Sequence, residues 1–322
     1  MRAAILHAPM DLRIDDVQTP ECTSTTAIVR VCSCAICGSD VHMYTGDHPF
    51  DYPAAMGHEA SGDVVAVGDD VEGLDVGDRI TWWVSYGSLA EYVRIEPAKL
   101  SVGKLADHVS YDHGATTQLL CAVIRALGSV SIGEEDRVLV VGQGGVGLLA
   151  VQVAKLAGAQ TVIGTDLLES RLAVSRRVGA SMSVNAAQAD LRERVLSAGG
   201  PVSVVIDAMA DDRSAEETGM ADAISCLAPG GTYLMVGLSA TPRVFSPYEL
   251  VQRQVTVVPA FQPLDRVRPL CQRACDLVAD GSIDVGSLLT HTATLDDTPG
   301  MFERVMSRPH EIVKAMIRMH EG

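Results

Sequence analysis

The chain of 322 residues is long enough for two domains, and 47% of its residues are hydrophobic, which is enough to bury a substantial core. Its formal net charge of −16 excludes the basic face that a nucleic-acid-binding surface needs. No uninterrupted apolar run reaches the length of a membrane-spanning helix, and the N-terminal stretch becomes polar too soon for a secretory signal. We therefore expect a soluble cytoplasmic protein that binds neither nucleic acid nor membrane.

Short alternating apolar runs, separated by Gly and Asp clusters, occupy the chain from Arg2 to about Val93. Alternation with a period of two is typical of half-buried strands. We therefore predict a compact β-rich domain of barrel type, with no helix of convincing length before residue 110. The predicted strands are Arg2 to Leu6, Leu12 to Val17, Ala27 to Ala35, Ala60 to Val67, Arg79 to Val84 and Leu89 to Ile95.

Residues 110 to 128 carry one broad apolar face at helical spacing, which predicts a helix. Beyond it, apolar runs and helical patterns alternate, as is typical of a doubly wound parallel sheet. The predicted strands are 138 to 141, 161 to 165, 182 to 184, 203 to 206, 232 to 236 and 255 to 258, with helices near 145, 170, 188, 216 and 248.

The last stretch, residues 264 to 322, returns to the pattern of the first domain. It predicts helices around 265 to 280 and 299 to 307, and a strand from Ile312 to Met319. We therefore expect three segments: a first domain at 1–118, a second at 119–263, and a C-terminal part at 264–322 that completes the first.

A glycine-rich turn, Gly142-Gln143-Gly144-Gly145-Val146-Gly147, joins a predicted buried strand to a predicted helix. A glycine at 142 permits a tight turn, one at 144 lets a pyrophosphate approach the backbone, and one at 147 lets helix and strand pack closely. The free N–H groups of the helix start suit a phosphate. Because glycine turns also join strands to helices for steric reasons alone, this pattern needs further support.

Asp166 provides that support, because it ends the next predicted strand. Dinucleotide-binding folds place an acid at this spacing to bind the ribose hydroxyls of adenosine. Its carboxylate would repel a 2′-phosphate, so the sequence favours NAD over NADP. Arg171 is either a contact on the adenine side or an ordinary solvated helix residue.

Two short motifs in the first domain carry potential metal ligands: Cys37-Gly38-Ser39-Asp40-Val41-His42 and Gly57-His58-Glu59. A thiolate and an imidazole are good zinc ligands, and loops rich in glycine let them converge. Two ligands do not make a site, because a free cysteine is often a core residue and a lone histidine is often hydrogen-bonded filler. From the residues alone, both interpretations stay open.

The sequence closely resembles the zinc-dependent medium-chain alcohol and polyol dehydrogenases, in order and over nearly the whole chain. The resemblance is carried by these two motifs, by Ser61 to Gly68, by Val76-Gly77-Asp78-Arg79 and by the glycine turn. The resemblance implies a GroES-like catalytic domain at 1–118, completed by 264–322, and an NAD-binding Rossmann domain at 119–263. It implies one catalytic Zn²⁺ per chain, NAD as cofactor, a small alcohol or carbonyl substrate, and a homodimer or homotetramer.

The resemblance also assigns roles to individual residues. Cys37 and His58 match two zinc ligands, and Asp40 matches the carboxylate that orients the histidine. Ser39 and His42 match the pair that carries the substrate proton to solvent. Two further groups would contact the cofactor outside the glycine turn. Lys314 resembles a basic residue that reaches toward Asp40 and the pyrophosphate. Around the nicotinamide, where plain sheet packing is the alternative, the candidates are Val236, Gly237, Leu238 and Phe261.

The sequence departs from the family pattern at the third ligand position, which falls on Gln118, a poor zinc ligand. We expect Glu59 to replace it, as in polyol dehydrogenases, with Cys121 as the rival and water as the fourth ligand. The cysteine lobe of many relatives is also missing, so we expect one zinc rather than two. Without that lobe, the candidates for lining the substrate site are Trp82, Trp83, Tyr86, His48 and Phe50.

We therefore predict an NAD- and zinc-dependent oxidoreductase that acts on a secondary alcohol, with polyol, sugar-like and aminocyclitol compounds as candidates. One alternative is a zinc-free, NADPH-dependent quinone or enoyl reductase of the same superfamily. Another is a dinucleotide-binding protein that has lost catalysis, for which Gln118 is the support.

Overall fold

A computed structural model describes residues 1–47, 50–83, 85–209, 219–239, 243–260 and 267–320. The chain forms two compact units, one made of Met1–Ala122 with Pro263–Gly322 and the other of Val123–Gln262. These bounds lie close to the domain limits expected from the sequence. None of the helices in the described ranges combines the length and the apolar character needed to cross a membrane.

The strands and helices of the described residues are numbered in chain order. The strands are β1 (Arg2–Ala8), β2 (Asp11–Asp16), β3 (Ala27–Ala35), β4 (Ala54–Ala55), β5 (Glu59–Val67), β6 (Arg79–Trp83), β7 (Tyr92–Ile95), β8 (Ser101–Lys104), β9 (Arg137–Val141), β10 (Thr161–Asp166), β11 (Met182–Asn185), β12 (Val202–Asp207), β13 (Leu227–Met235), β14 (Thr256–Pro259), β15 (Leu289–Thr294) and β16 (Lys314–Arg318). The helices are α1 (Gly38–Thr45), α2 (Tyr111–Leu127), α3 (Gly145–Leu156), α4 (Glu169–Arg177), α5 (Leu191–Ser197), α6 (Gly219–Ser225), α7 (Pro247–Arg253), α8 (Leu270–Ala279) and α9 (Thr298–Ser307).

The first unit contains a sheet with the strand order β15-β16-β3-β5-β6-β8, with β7 paired to β3, and a smaller sheet with the order β2-β1-β4. The register of the larger sheet places Glu59 and Met316 opposite Ala35, on the two sides of β3. The end of β3 and the starts of β5 and β16 therefore meet at one edge of this sheet. That edge carries the candidate metal ligands.

The C-terminal segment is part of the first unit through its core as well as its strands. Phe302 of α9 is fully buried, and its ring centroid lies 5.2 Å from that of Tyr44 on α1. Ile317 of β16 is also fully buried in the same hydrophobic cluster. Burial of such large apolar side chains is the main source of stability here.

The second unit contains a parallel sheet with the order β11-β10-β9-β12-β13-β14. The strand order reverses between β9 and β12, which is the point at which open α/β sheets bind ligands. The glycine turn follows β9 directly. The prediction of a doubly wound parallel sheet beside a β-rich domain is confirmed, and each of the six strands predicted for this sheet is present.

One short helix of the first domain, α1, was not predicted from the sequence and lies well before residue 110. This eight-residue helix is too short and too polar to show an apolar period in the sequence. It begins because the Asp40 carboxylate accepts the backbone N–H of Cys37, at 2.9 Å, and so caps the first turn. The helix predicted near 188 begins only at Leu191, and the position near 216 lies outside the described residues.

Candidate metal centre and dinucleotide site

Three potential metal ligands converge where β3, β5 and β16 meet. One ligand atom each from Cys37, His58 and Glu59 lies within 4.8 Å of the other two. The histidine and the glutamate are buried and the cysteine is half-buried. Catalytic zinc sites use three protein ligands of these kinds and leave one position for water or substrate. The donor set is therefore suited to a catalytic zinc ion.

The Asp40 carboxylate orients Cys37 and His58 through hydrogen bonds. This carboxylate is fully buried, accepts the N–H of Cys37 and lies 3.2 Å from Nδ1 of His58. With Nδ1 held in this way, Nε2 is the nitrogen that remains for a metal. The hydroxyl oxygen of Ser39 lies 3.5 Å from that Nε2. The motif around Cys37 thus places a ligand, an orienting carboxylate and a hydroxyl on one short helix.

The electrostatic environment of His58 favours positive charge. Burial lowers the pKa of the imidazole, but the Asp40 carboxylate and the Cys37 side chain raise it more, to about 12. Without a metal, the imidazole therefore holds a second proton. Zinc binding must displace that proton, because the metal ligand is the neutral imidazole.

Lys314 forms a buried ion pair with Glu59. Its ammonium donates to both carboxylate oxygens, at 3.0 and 2.7 Å, and to the Ile36 carbonyl at 3.3 Å. Burial lowers the pKa of Lys314, but Glu59, with smaller contributions from Cys37 and Asp40, raises it more, so the amine stays charged. An ammonium has three N–H donors, and these contacts use all three. The hydrogen bonds of Lys314 in this structure therefore go to Glu59 and Ile36, while the nearby charge of Asp40 acts on the same ammonium, and its expected contact with a pyrophosphate stays a prediction.

The formal charges around the site test whether a dication fits. When the Cys37 thiol and the His58 imidazolium have given up their protons, as zinc ligation requires, Cys37, Asp40 and Glu59 contribute three negative charges, and Lys314 cancels one of them. Two negative charges remain in a largely buried place, where unpaired charge is costly. A Zn²⁺ ion would neutralise them.

Cys121, the alternative ligand, lies in a different environment. It is fully buried, and contact with the Cys271 thiol together with burial raises its pKa. A thiol that stays protonated is a poor zinc ligand. Gln118 is also buried, on the same helix. Among the described residues the structure therefore favours Glu59 as the third ligand.

The glycine turn of the second unit has the geometry that close approach requires. Gly142 has a φ of +85°, and a Cβ there would lie 2.9 Å from the carbonyl oxygen of Ala208. A Cβ on Gly147 would lie 1.7 Å from the carbonyl oxygen of Gly142. Gly144, which precedes α3, faces open space that a phosphate could occupy. Gly145 and Val146, the next residues, are half-buried in the first turn of the helix.

Asp166 lies at the carboxyl end of β10, beside this turn. Its carboxylate accepts the backbone N–H of Gln143 at 2.6 Å and that of Leu168 at 2.9 Å. A guanidinium nitrogen of Arg171 lies 3.8 Å from the same carboxylate. The acid is therefore fixed next to the turn, where a ribose acceptor is expected.

The remaining cofactor candidates follow β13. Val236 and Gly237 both donate their N–H to the Asp207 carbonyl, at 2.9 and 2.8 Å, and Leu238 is 68% exposed. These positions lie at the carboxyl edge of the sheet, as a ligand site requires. Phe261 lies outside the described residues.

A buried charged cluster at the same edge of the sheet was not predicted from the sequence. Asp207 is fully buried at the end of β12, where its carboxylate accepts bonds from the Tyr233 hydroxyl, the Arg243 guanidinium and the Met209 N–H. Arg243 also donates to the Met209 carbonyl at 2.8 Å. The cluster holds residues 207–209 against the Gly142 turn. The sequence signal for this cluster was Asp207 itself, a single Asp at the end of an apolar strand. Nothing in the residue spacing indicated Arg243 as its partner.

Replacing Lys314 by Met tests the buried pair. The variant leaves the Glu59 carboxylate without its partner, so we expect the free energy of unfolding of the metal-free protein to fall by about 3–5 kcal/mol. Urea denaturation with a chelator present measures it. The double variant Glu59→Gln with Lys314→Met is the matched control and should recover most of the loss. A loss below about 1 kcal/mol in the single variant would show a solvated pair.

Known proteins share both units. Residues 23–107 match the alcohol dehydrogenase GroES-like domain, and residues 145–278 match the zinc-binding dehydrogenase domain. Sorbitol dehydrogenase of Bacillus subtilis (strain 168) is 23% identical, over 98% of this chain and 97% of its own.

Solved structures agree in fold. The crystal structure of 2R,3R-butanediol dehydrogenase from Bacillus subtilis is 25% identical, covers 99% of both chains and has a TM-score of 0.87. A protein described as a zinc-binding dehydrogenase from Sinorhizobium meliloti 1021, bound to NADP, shows the same identity, coverage and TM-score. With both domain models matched in order and similarity over nearly its full length, the chain belongs to the zinc-type medium-chain dehydrogenase/reductase family.

Proposed function

We propose that this chain is a dehydrogenase that uses NAD and one catalytic Zn²⁺ per chain to oxidise a secondary alcohol of a polyol-like substrate, and to reduce the ketone in reverse. The observation that carries the proposal is the convergence of Cys37, His58 and Glu59. When bound, zinc would supply a Lewis acid to the substrate oxygen and NAD a hydride acceptor. Relatives named sorbitol and butanediol dehydrogenase support the polyol class.

The residues of α1 are arranged to carry the proton that the alcohol loses. The Ser39 hydroxyl lies 3.5 Å from Nε2 of His58, so it would be placed to accept the proton of a substrate alcohol bound at these ligands while passing on its own. His42 follows one helical turn later, and its Nδ1 lies 3.7 Å from an Asp47 oxygen. We assign Ser39 as the first acceptor and His42 as the group that passes the proton toward solvent.

The two alternatives have less support. A zinc-free quinone or enoyl reductase has no use for a thiolate, an imidazole and a carboxylate brought to one point. A protein that had lost catalysis could dispense with the hydroxyl beside His58 and the carboxylate behind it, yet both are in place. Glu59 would supply the zinc ligand that Gln118 cannot provide.

The variant Cys37→Ser tests the metal centre. Because a neutral hydroxyl is a poor zinc ligand, we expect loss of bound zinc and of alcohol oxidation, with NADH affinity unchanged within about twofold. Elemental analysis gives the zinc content, and NADH fluorescence gives the affinity. Cys22→Ser, at an exposed free thiol, is the matched control and should keep its zinc. Parallel loss of NADH binding in a folded Cys37 variant would contradict the assignment.

The variant Asp166→Gly tests the choice of NAD over NADP. The Asp166 carboxylate would repel a 2′-phosphate, so its removal should raise the ratio of kcat/KM for NADP to that for NAD by about tenfold, or about 1.4 kcal/mol. Initial rates with each cofactor measure the ratio. Unchanged selectivity would show that the carboxylate only holds the backbone N–H groups of Gln143 and Leu168.

We further propose that the chain assembles with itself through the second unit. β14 is the edge strand of the parallel sheet, and Val257 on it is 38% exposed. Tyr248 and Val251 on α7 are more than 70% exposed. Unpaired edges and exposed apolar groups of this kind are usually covered.

Sedimentation velocity tests this assembly. We expect the wild-type protein to be a dimer or tetramer, and Val251→Asp to shift it toward monomer because the new carboxylate would be desolvated in the contact. Val76→Asp, at an exposed apolar residue of the first unit, is the matched control. A monomeric wild-type protein would refute the proposal.

A further inference from the structure

We propose that Tyr86 is a specificity-determining residue of the metal centre, which recognises a second hydroxylated carbon of the substrate beside the carbon that reacts. The inference deepens the proposed function and rests on it. It commits the site to substrates with vicinal hydroxyl groups rather than to simple secondary alcohols.

Tyr86 lies directly against a proposed zinc ligand. Its ring centroid is 5.1 Å from that of His58, with an angle of 52° between the ring planes. The ring of Phe50 lies 6.2 Å from Tyr86, also tilted. Tyr86 is 45% exposed and Phe50 is 36% exposed. The two rings therefore form an aromatic wall that begins at the imidazole and is open to a ligand.

The backbone holds this wall in place. Ser88 donates its N–H to the Gly57 carbonyl at 3.0 Å, and Leu89 donates to the Met56 carbonyl at 2.9 Å. The Ser88 hydroxyl closes the segment onto the Ser85 carbonyl at 3.2 Å. The segment that carries Tyr86 is thus tied to the residues just before His58. A side chain positioned in this way keeps its distance to the metal ligands, as a binding group must.

Two neighbouring aromatic residues differ from Tyr86, because one is buried and the other has a hydrogen-bonded hydroxyl. Trp82 is fully buried, and the Tyr52 hydroxyl donates to the Met43 carbonyl at 3.0 Å. Within the described ranges, the Tyr86 hydroxyl has no hydrogen-bond partner. Tyrosine with an apolar face and a free polar tip is a common recognition group for small ligands. His48, another sequence candidate for this wall, lies outside the described residues.

A hydroxyl on a ring that contacts His58 can discriminate between substrates through the hydrogen bond it offers. A substrate with a second hydroxyl can bond to Tyr86, whereas a simple alcohol leaves that position to water. Because Tyr86 is half-exposed, water can replace the missing bond, so the preference is moderate. We expect a contribution of about tenfold to kcat/KM, or about 1.4 kcal/mol.

The test compares two alcohols of equal carbon number, 2,3-butanediol and 2-butanol, in the zinc-loaded full chain with NAD. The Tyr86→Phe variant keeps the ring and removes the hydroxyl, so the ratio of kcat/KM for the diol to that for 2-butanol should fall about tenfold. The Tyr86→Ala variant removes the wall as well and should raise KM for the diol further. Tyr92→Phe, at a half-buried tyrosine on β7, is the matched control and should keep the wild-type ratio.

An unchanged ratio in Tyr86→Phe would overturn the proposal. So would an equal fall for both alcohols together with loss of zinc, because that result marks Tyr86 as packing for His58. Calorimetric titration of the NADH-loaded proteins with 2,3-butanediol needs no turnover. Weaker binding of the diol to Tyr86→Phe than to wild type supports the proposal. Equal binding to both proteins, or no binding to the wild-type protein, overturns it. If the wild-type protein oxidises no alcohol, the proposed function fails, and the titration alone decides the role of Tyr86.

Discussion

The negative charge collected around His58 is the constraint on which the first unit depends. Asp40 stands behind the imidazole, Cys37 stands beside it, and Glu59 follows it in sequence. Once Cys37 and His58 have lost their protons, Lys314 compensates only one of the three negative charges, and burying unpaired charges is costly. The site therefore favours a cation, and the hydrogen bond that Asp40 accepts from Nδ1 of His58 leaves Nε2 to face it. A buried group of this kind is better explained by function than by stability, because a well-packed apolar cluster would hold the fold at lower cost.

The sheet delivers these groups to one point by register rather than by sequence proximity. β3 runs between β5 and β16, so the residues opposite Ala35 come from two distant parts of the chain. The return of the C-terminal segment to the first unit supplies Lys314, and also the buried ring of Phe302 beneath α1. The metal centre and the core that supports it are therefore completed only when the end of the chain is in place.

The second unit meets a different requirement, because a dinucleotide must approach the backbone itself. Gly144 provides that space, Gly142 and Gly147 let the turn and the helix pack closely, and Asp166 is held by two backbone N–H groups at the neighbouring strand end. Residues 207–209 close the other side of the turn, fixed by the buried pair of Asp207 and Arg243. Local glycine geometry and a long-range charge pair thus cooperate at one edge of the sheet.

The sequence by itself determined the alternation of strands and helices, the glycine turn with Asp166, and the two motifs with Cys37 and His58, because each depends on periodicity or on residues near one another in the chain. Only the tertiary structure decided that Glu59 lies within ligand distance of Cys37 and His58 while Cys121 packs against Cys271, and that Lys314 binds Glu59. It also revealed α1, the Asp207–Arg243 pair and the contact of Tyr86 with His58. The pairings among these features join residues separated by dozens to hundreds of positions, and sheet register brings such residues together without leaving a pattern in the sequence.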